Sequence, residues 1–169
     1  MKFLSLLLSV ISLALALEVG KPPKPITLEG ETGGKITEEA FSSEMLKDKV
    51  YVLFYVDPDE KEMNEHVSAA LKAEKFDRQK YGSVAVINMA ATWLPNFAIA
   101  SKLKKKQEMY PDTTYVKDLQ SVLVHEWELE DDSSNVVLFD KEGEVLFIKK
   151  GKLSNDELAE LLRLVKANI

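Results

Sequence analysis

Apolar residues fall along this chain in short dense runs, and their spacing predicts alternating strands and helices. Residues 49–56 (KVYVLFYV), 83–89 (SVAVINM) and 135–139 (NVVLF) are almost unbroken apolar, β-branched and aromatic stretches bounded by polar residues. Runs of that length without polar alternation mark strands buried on both faces. After the first run, Met63, Val67, Ala70 and Leu71 recur at helical spacing, so a helix is expected to start from the Asp57-Pro58-Asp59 turn. Residues 97–109 give a second helix, ended by Pro111. Residues 140–143 (DKEG) read as a hairpin turn, with 144–149 (EVLFIK) as the return strand. The last helix carries the sharpest signature: Ser154 as N-cap, Glu157 three residues on, and a stripe of Leu158, Leu161, Leu162 and Val165.

The remaining stretches give weaker signals. Residues 17–35 are rich in Pro and Gly, with a short strand at 26–28 and a Gly33-Gly34 turn into 35–37. Together these predict a small N-terminal hairpin. Residues 41–46 fit one or two helical turns, 113–116 a short strand, and 119–129 either helix or coil. The order hairpin, β, α, β, α, (β), β–hairpin–β, α implies a three-layer α/β/α fold around a central mixed sheet, extended by the N-terminal hairpin. This is the thioredoxin-like plan.

The first residues bear on compartment. Met1-Lys2 forms a short positive segment, residues 3–13 are apolar apart from serines, and Ala14-Leu15-Ala16 has the small–x–small pattern of a signal-peptidase site. The apolar run is shorter than the roughly 20 residues a membrane-spanning helix needs. Residues 1–16 are therefore expected to be a cleaved signal peptide, with Ala14 and Ala16 at the cleavage site. Residues 17–169 are then expected to form a single exported domain, without stable insertion into the membrane.

Charge and cysteine count narrow the function. The chain has 22 basic and 28 acidic side chains, a formal net charge of −6, and loss of Lys2 with the leader makes it more negative still. An acidic domain without a basic arm gets no help from a phosphate backbone, so nucleic acid is not expected as a partner. No cysteine is present. An exported protein can use disulfides, but this one must gain its stability from burial, and thiol–disulfide catalysis, thiolate nucleophiles and cysteine metal sites are excluded.

Two stretches resemble a known family. KVYVLFYVDPDEKEMNEH lies where exported thioredoxin-like proteins carry a strand, a Trp-Cys-x-x-Cys motif and a helix. DSSNVVLFDKEGEVLFIKKGKLSNDELAELL resembles the segment from their cis-proline through the hairpin to the last helix. The tract through Trp127, Leu129, Asp131-Asp132-Ser133-Ser134 and VVLFDKEGEV is most similar to the YtfJ family, small periplasmic proteins of Gram-negative bacteria with a thioredoxin-like fold and no established biochemical function. The resemblance places Asp57 to Lys61 where the Cys-x-x-Cys would lie, and Ser134 where the cis-proline would lie. It implies a fold whose redox chemistry is gone.

Candidate chemistry is correspondingly sparse. Asp57, Asp59 and Glu60 suit the start of a helix, where Asp57 can cap and acids complement the dipole. If the fold is thioredoxin-like, this turn lies against residues 130–134, and up to five carboxylates face one another across a shallow groove. Asp57, Asp59, Glu60, Asp131, Asp132 and Ser134 are then candidates for binding an envelope protein or a basic peptide. A calcium site or an enzyme built on the same carboxylates is the alternative, although no calcium-loop spacing is present. A further alternative is a docking accessory to an envelope disulfide oxidoreductase. His66 and His125 lack a matched nucleophile, so packing or surface roles are expected. Lys102, Lys104, Lys105 and Lys106 form one basic cluster toward the end of the second helix, suited to its dipole or to an anionic lipid or acidic partner. Trp93, in the Trp93-Leu94-Pro95-Asn96-Phe97 loop, is either tucked under that helix, the expected arrangement, or exposed as a contact patch. No cofactor and no catalytic residue is indicated.

Overall fold

The computed structural model describes residues 16–169. Ala14 and the apolar segment expected to be a leader lie outside the described residues.

Strand β4 (Val50–Val56) is the middle of the molecule, and its apolar run divides by alternation between two cores. Val50, Val52, Phe54 and Val56 face helices α1 (Glu65–Ala73) and α4 (Asn155–Asn168), meeting Val67, Leu71, Leu161 and Val165. Leu53 and Tyr55 face the opposite layer, which contains Leu123 and Trp127 of the short helix α3 (Val122–Trp127) and Leu28 and Phe41 of the N-terminal arm. A strand covered on both faces needs no polar alternation, which is why it reads as one continuous apolar stretch.

Six strands form the central sheet in the order β2 (Gly33–Lys35), β6 (Thr113–Asp118), β5 (Tyr81–Asn88), β4, β7 (Ser134–Phe139) and β8 (Val145–Lys149). Strand β5 runs parallel to β4 and to β6. Strand β7 is antiparallel to β4, and β8 is antiparallel to β7. Helix α2 (Asn96–Met109) links β5 to β6 and seats Ile99 and Leu103 on Met89 and Tyr115. Helix α4 begins with the expected reciprocal cap: the Glu157 amide donates to Ser154 Oγ and the Ser154 amide to Glu157 Oε2.

Three local expectations change. The N-terminal pairing does not join 26–28 to 35–37. Strand β1 (Thr27–Leu28) pairs instead with β3 (Phe41–Ser42), and β2 (Gly33–Lys35) leaves that pair to become the antiparallel edge of the central sheet against β6. Gly33 makes this possible: at φ +132° a Cβ there would lie 1.9 Å from the Lys117 carbonyl oxygen. Residues 43–45 form a single 3-10 turn after β3. Finally, Asp57 caps a 3-10 turn (Pro58–Glu60), and α1 starts only at Glu65. Residues 61–64 form turns, and the Asn64 side chain does not cap α1 but bonds to Ser134, Gly151 and Leu153.

Candidate functional site

The parallel strands end on polar residues at one edge of the sheet. β4 runs into Asp57, β5 ends on Asn88, β6 ends on Asp118, and β7 starts beside them with Ser134 and Asn135, preceded by Ser133. All six side-chain positions are buried, a costly arrangement unless every polar atom finds a partner. Among the described residues, no buried side-chain nitrogen or oxygen is left without one.

Asp118 is the hub of one side of this layer. Its Oδ1 accepts from the amides of Gln120 (3.2 Å) and Val122 (2.9 Å), and its Oδ2 from the Leu123 amide (3.1 Å) and the Tyr55 hydroxyl (3.1 Å). The carboxylate thus satisfies orphan amides at the start of α3, where negative charge is favoured. Burial, then the charge of Asp118 and its bond to the phenol, push the Tyr55 hydroxyl well above its ordinary value of 10.0, so it stays a donor. Next to it, Asn88 donates to Asp131 Oδ1 at 2.8 Å and accepts from Ser121 Oγ at 2.9 Å.

Two asparagines hold the β7 side. Asn135 accepts from the Glu130 amide (2.9 Å) and donates to the Glu130 carbonyl (2.8 Å), closing loop 130–135 on itself. Asn64 donates to the Ser134 carbonyl (3.0 Å), Ser134 Oγ (3.2 Å) and the Gly151 carbonyl (3.1 Å), and accepts from the Leu153 amide (3.0 Å). One side chain therefore fastens the approach to α1, the start of β7 and the β8–α4 loop.

The two acidic segments named from the sequence meet here. The Asp57 amide donates to the Ser133 carbonyl at 2.9 Å, the register pairs Val56 with Ser134, and the Asp57 side chain accepts from the Asp59 amide at 2.8 Å. Burial raises the Asp57 carboxyl above its ordinary value of 3.8; the Asp59 amide opposes this, while the charges of Asp59, Asp132 and Glu60 add to it. Asp59, Asp131 and Asp132 are exposed and Glu60 is half-buried, forming an acidic rim over the buried polar layer. Ser134 does not belong to that rim, since it is buried and its hydroxyl is occupied by Asn64. Among the described residues, no group of three or more His, Cys, Asp or Glu side chains is arranged to hold a metal ion.

The other candidates separate cleanly. His66 Nε2 lies 3.0 Å from the Leu153 carbonyl, a packing contact between α1 and the loop before α4, and His125 is exposed. Trp93 reverses the expectation that it is tucked away: it is 87 % exposed, and Phe97 is 78 % exposed. Helix α2 meets the sheet through Ile99 and Leu103, and Leu94 of the preceding loop packs against the same cluster, while Trp93 and Phe97 stay outside it. Asn64, Asn88, Asp118 and Asn135 were not singled out from sequence. The signal that could have found three of them is a lone Asn or Asp closing or opening an apolar run.

A mixed α/β/α sheet whose polar edge holds carboxylates and amides, and no cysteine, defines a thioredoxin-like fold without a thiol. The thioredoxin domain of a thiol-disulfide oxidoreductase from Bacteroides vulgatus superposes on it with a TM-score of 0.62 at 15% identity, covering 91% of this chain and 100% of that one. Residues 26–168 match the family described as "Bacterial protein of unknown function (YtfJ_HI0045)", and the chain belongs to that family. Its relatives include the "Uncharacterized protein YtfJ" of Escherichia coli (strain K12), 28% identical over 170 residues, covering 95% of this chain and 92% of that protein. An uncharacterized protein of Haemophilus influenzae is 27% identical over 157 residues, covering 89% and 85%.

Proposed function

We propose that this chain is an exported, periplasmic binding or accessory protein that works through the acidic rim at the former redox edge of its fold. The observation that carries the reading is the Asp57–Ser133 backbone contact, which sets the 57–60 turn against loop 130–134. Beneath that contact the polar side chains are committed to one another, so the layer acts as a scaffold. Above it, Asp59, Glu60 and Asp132 remain free to meet solvent or a partner, and Asp131 adds its charge while held by Asn88. With no cysteine in the chain, recognition is the chemistry left to this edge. A segment rich in Lys and Arg suits it, and such an encounter is steered by charge and weakened by salt.

The test keeps the scaffold and removes the charge. Asp59→Asn, Glu60→Gln and Asp132→Asn together leave Asp57 and Asp131 in their hydrogen bonds. Fluorescence anisotropy with a Lys-rich peptide should show salt-sensitive binding by the native chain and at least tenfold weaker binding by the triple variant. Equal binding by both would remove the rim from the account. Export is checked separately: protein released by osmotic shock should begin at Leu17.

A further inference from the structure

The face of helix α2 that points away from the sheet has the composition of a membrane-interface contact. Phe97, Ser101, Lys104, Lys105 and Glu108 line one shallow exposed surface, and Lys102, Lys106 and Met109 flank it. Trp93 stands in the loop immediately before. Trp93, Phe97 and Met109 expose 87 %, 78 % and 66 % of their surface, the three most exposed large apolar residues after residue 90. None of the four lysines forms an ion pair among the described residues, in contrast to Lys24, Lys35, Lys47, Lys117, Lys149 and Lys166. Four cations against one carboxylate make this a positive surface on a negative protein.

We infer that Trp93, Phe97 and the lysines of α2 form a peripheral docking surface for an anionic phospholipid bilayer. Charge complementarity selects an anionic surface. The residue types then select lipid over protein. Lysine is depleted at protein–protein interfaces, where arginine accompanies the aromatics. Lysines beside an exposed Trp and Phe instead match the interfacial belt, in which rings sit at headgroup depth and flexible ammonium groups reach lipid phosphates. The attachment is superficial: among the described residues no helix is long and apolar enough to cross a membrane. The acidic rim carries the opposite charge and would be repelled by such a surface.

The two tryptophans make the test direct. Trp127 is fully buried, so a change in emission on adding vesicles reports Trp93. Protein is purified from its host, with the N-terminus sequenced to establish that the apolar leader is gone. It is then titrated with vesicles of equal phosphatidylglycerol and phosphatidylcholine, and with phosphatidylcholine alone. The expected result is a blue shift and protection from acrylamide with the anionic vesicles only, reversed by high salt. Lys104→Glu with Lys105→Glu should weaken partition by more than about 25-fold, at roughly fivefold per lysine even before charge reversal is counted. Trp93→Ala with Phe97→Ala should weaken sedimentation with the same vesicles while leaving the far-UV spectrum and melting temperature unchanged. An unshifted spectrum with anionic vesicles would overturn the inference, and so would equal binding to both vesicle types. A blue shift that grows with protein concentration in the absence of vesicles would also overturn it, assigning the patch to a second copy of the chain.

Discussion

The Tyr55 hydroxyl meets Asp118 Oδ2 at 3.1 Å across 63 residues of sequence, joining the central strand to the start of α3 inside a fully enclosed layer. Asp118 accepts four hydrogen bonds there, three of them from amides with no other listener at the helix start. Removing the carboxylate leaves those donors unpaired, and the buried ones, the Leu123 amide and the Tyr55 hydroxyl, cost about 1–3 kcal/mol each. Asp118→Ala should lower unfolding stability by on the order of 3–4 kcal/mol. Tyr55→Phe, which takes one donor from a charged acceptor, should cost about 1.5–3 kcal/mol. Urea denaturation of both variants and their combination should show a coupling of about 1–2 kcal/mol, because the pair shares a single bond. Additive losses would show that the two side chains act separately.

Asp57 makes stability depend on acidity in a definite direction. Its folded carboxyl titrates above the ordinary value of 3.8, chiefly because it is buried, so the folded state binds its proton more readily than the unfolded chain. Stability therefore falls as pH rises from the ordinary aspartate range through the raised folded value, and the cost stays in place at neutral pH. Asp57→Asn removes that cost and keeps an oxygen to accept from the Asp59 amide. The variant should melt higher than the native chain at pH 7, with the gap closing as pH drops below 4. Asp132→Asn should narrow the same gap, since the Asp132 charge contributes to the shift. A gap that widened on acidification would reverse the sign and refute the assignment.

What the sequence disclosed follows from how each element is stabilised. Strands β4, β5 and β7 were legible because both faces are buried, and α4 because Ser154 and Glu157 cap it locally. The β1–β3 pair was not, since two-residue strands carry no period and their partner is chosen by where β2 can dock. The meeting of the acidic turn with loop 130–134 followed from fold analogy alone. The polar layer was invisible because its bonds join residues such as Asn64 and Leu153, or Asn88 and Asp131, that no local pattern connects. Trp93 misled for a related reason: which apolar residue of a loop is buried depends on the packing of its neighbours, and here Leu94 packs against the Ile99–Leu103 cluster while Trp93 is exposed.

The docking of β2 depends on the missing side chain at Gly33. A methyl group there would overlap the Lys117 carbonyl, and φ +132° is unsuited to any L side chain. Gly33→Ala should destabilise by well over 1 kcal/mol and speed hydrogen exchange of the β2 and β6 amides. Gly30 provides the comparison, with φ +54° and open space around it. Gly30→Ala should cost only about 1 kcal/mol, the conformational share alone, and leave β6 exchange unchanged. Equal effects from both variants would mean that close approach to Lys117 is not what fixes the edge.

Asn64 offers the sharpest test of the polar layer as scaffold, because its amide donates to three oxygens and accepts from one amide. Asn64→Ala leaves the Ser134 and Gly151 carbonyls and the Leu153 amide unpaired, a loss of about 2–4 kcal/mol. Asn64→Asp keeps the shape but turns a carboxylate toward two carbonyl oxygens, an arrangement that only its protonated form tolerates. That raises the introduced carboxyl in the folded state, so the aspartate variant should regain stability as pH falls, while the alanine variant should not. Thermal melts of the two variants between pH 4 and pH 8 separate these outcomes. Should both variants show the same pH profile, the Asn64 amide would be ruled out as the donor that fastens β7 to the loop before α4.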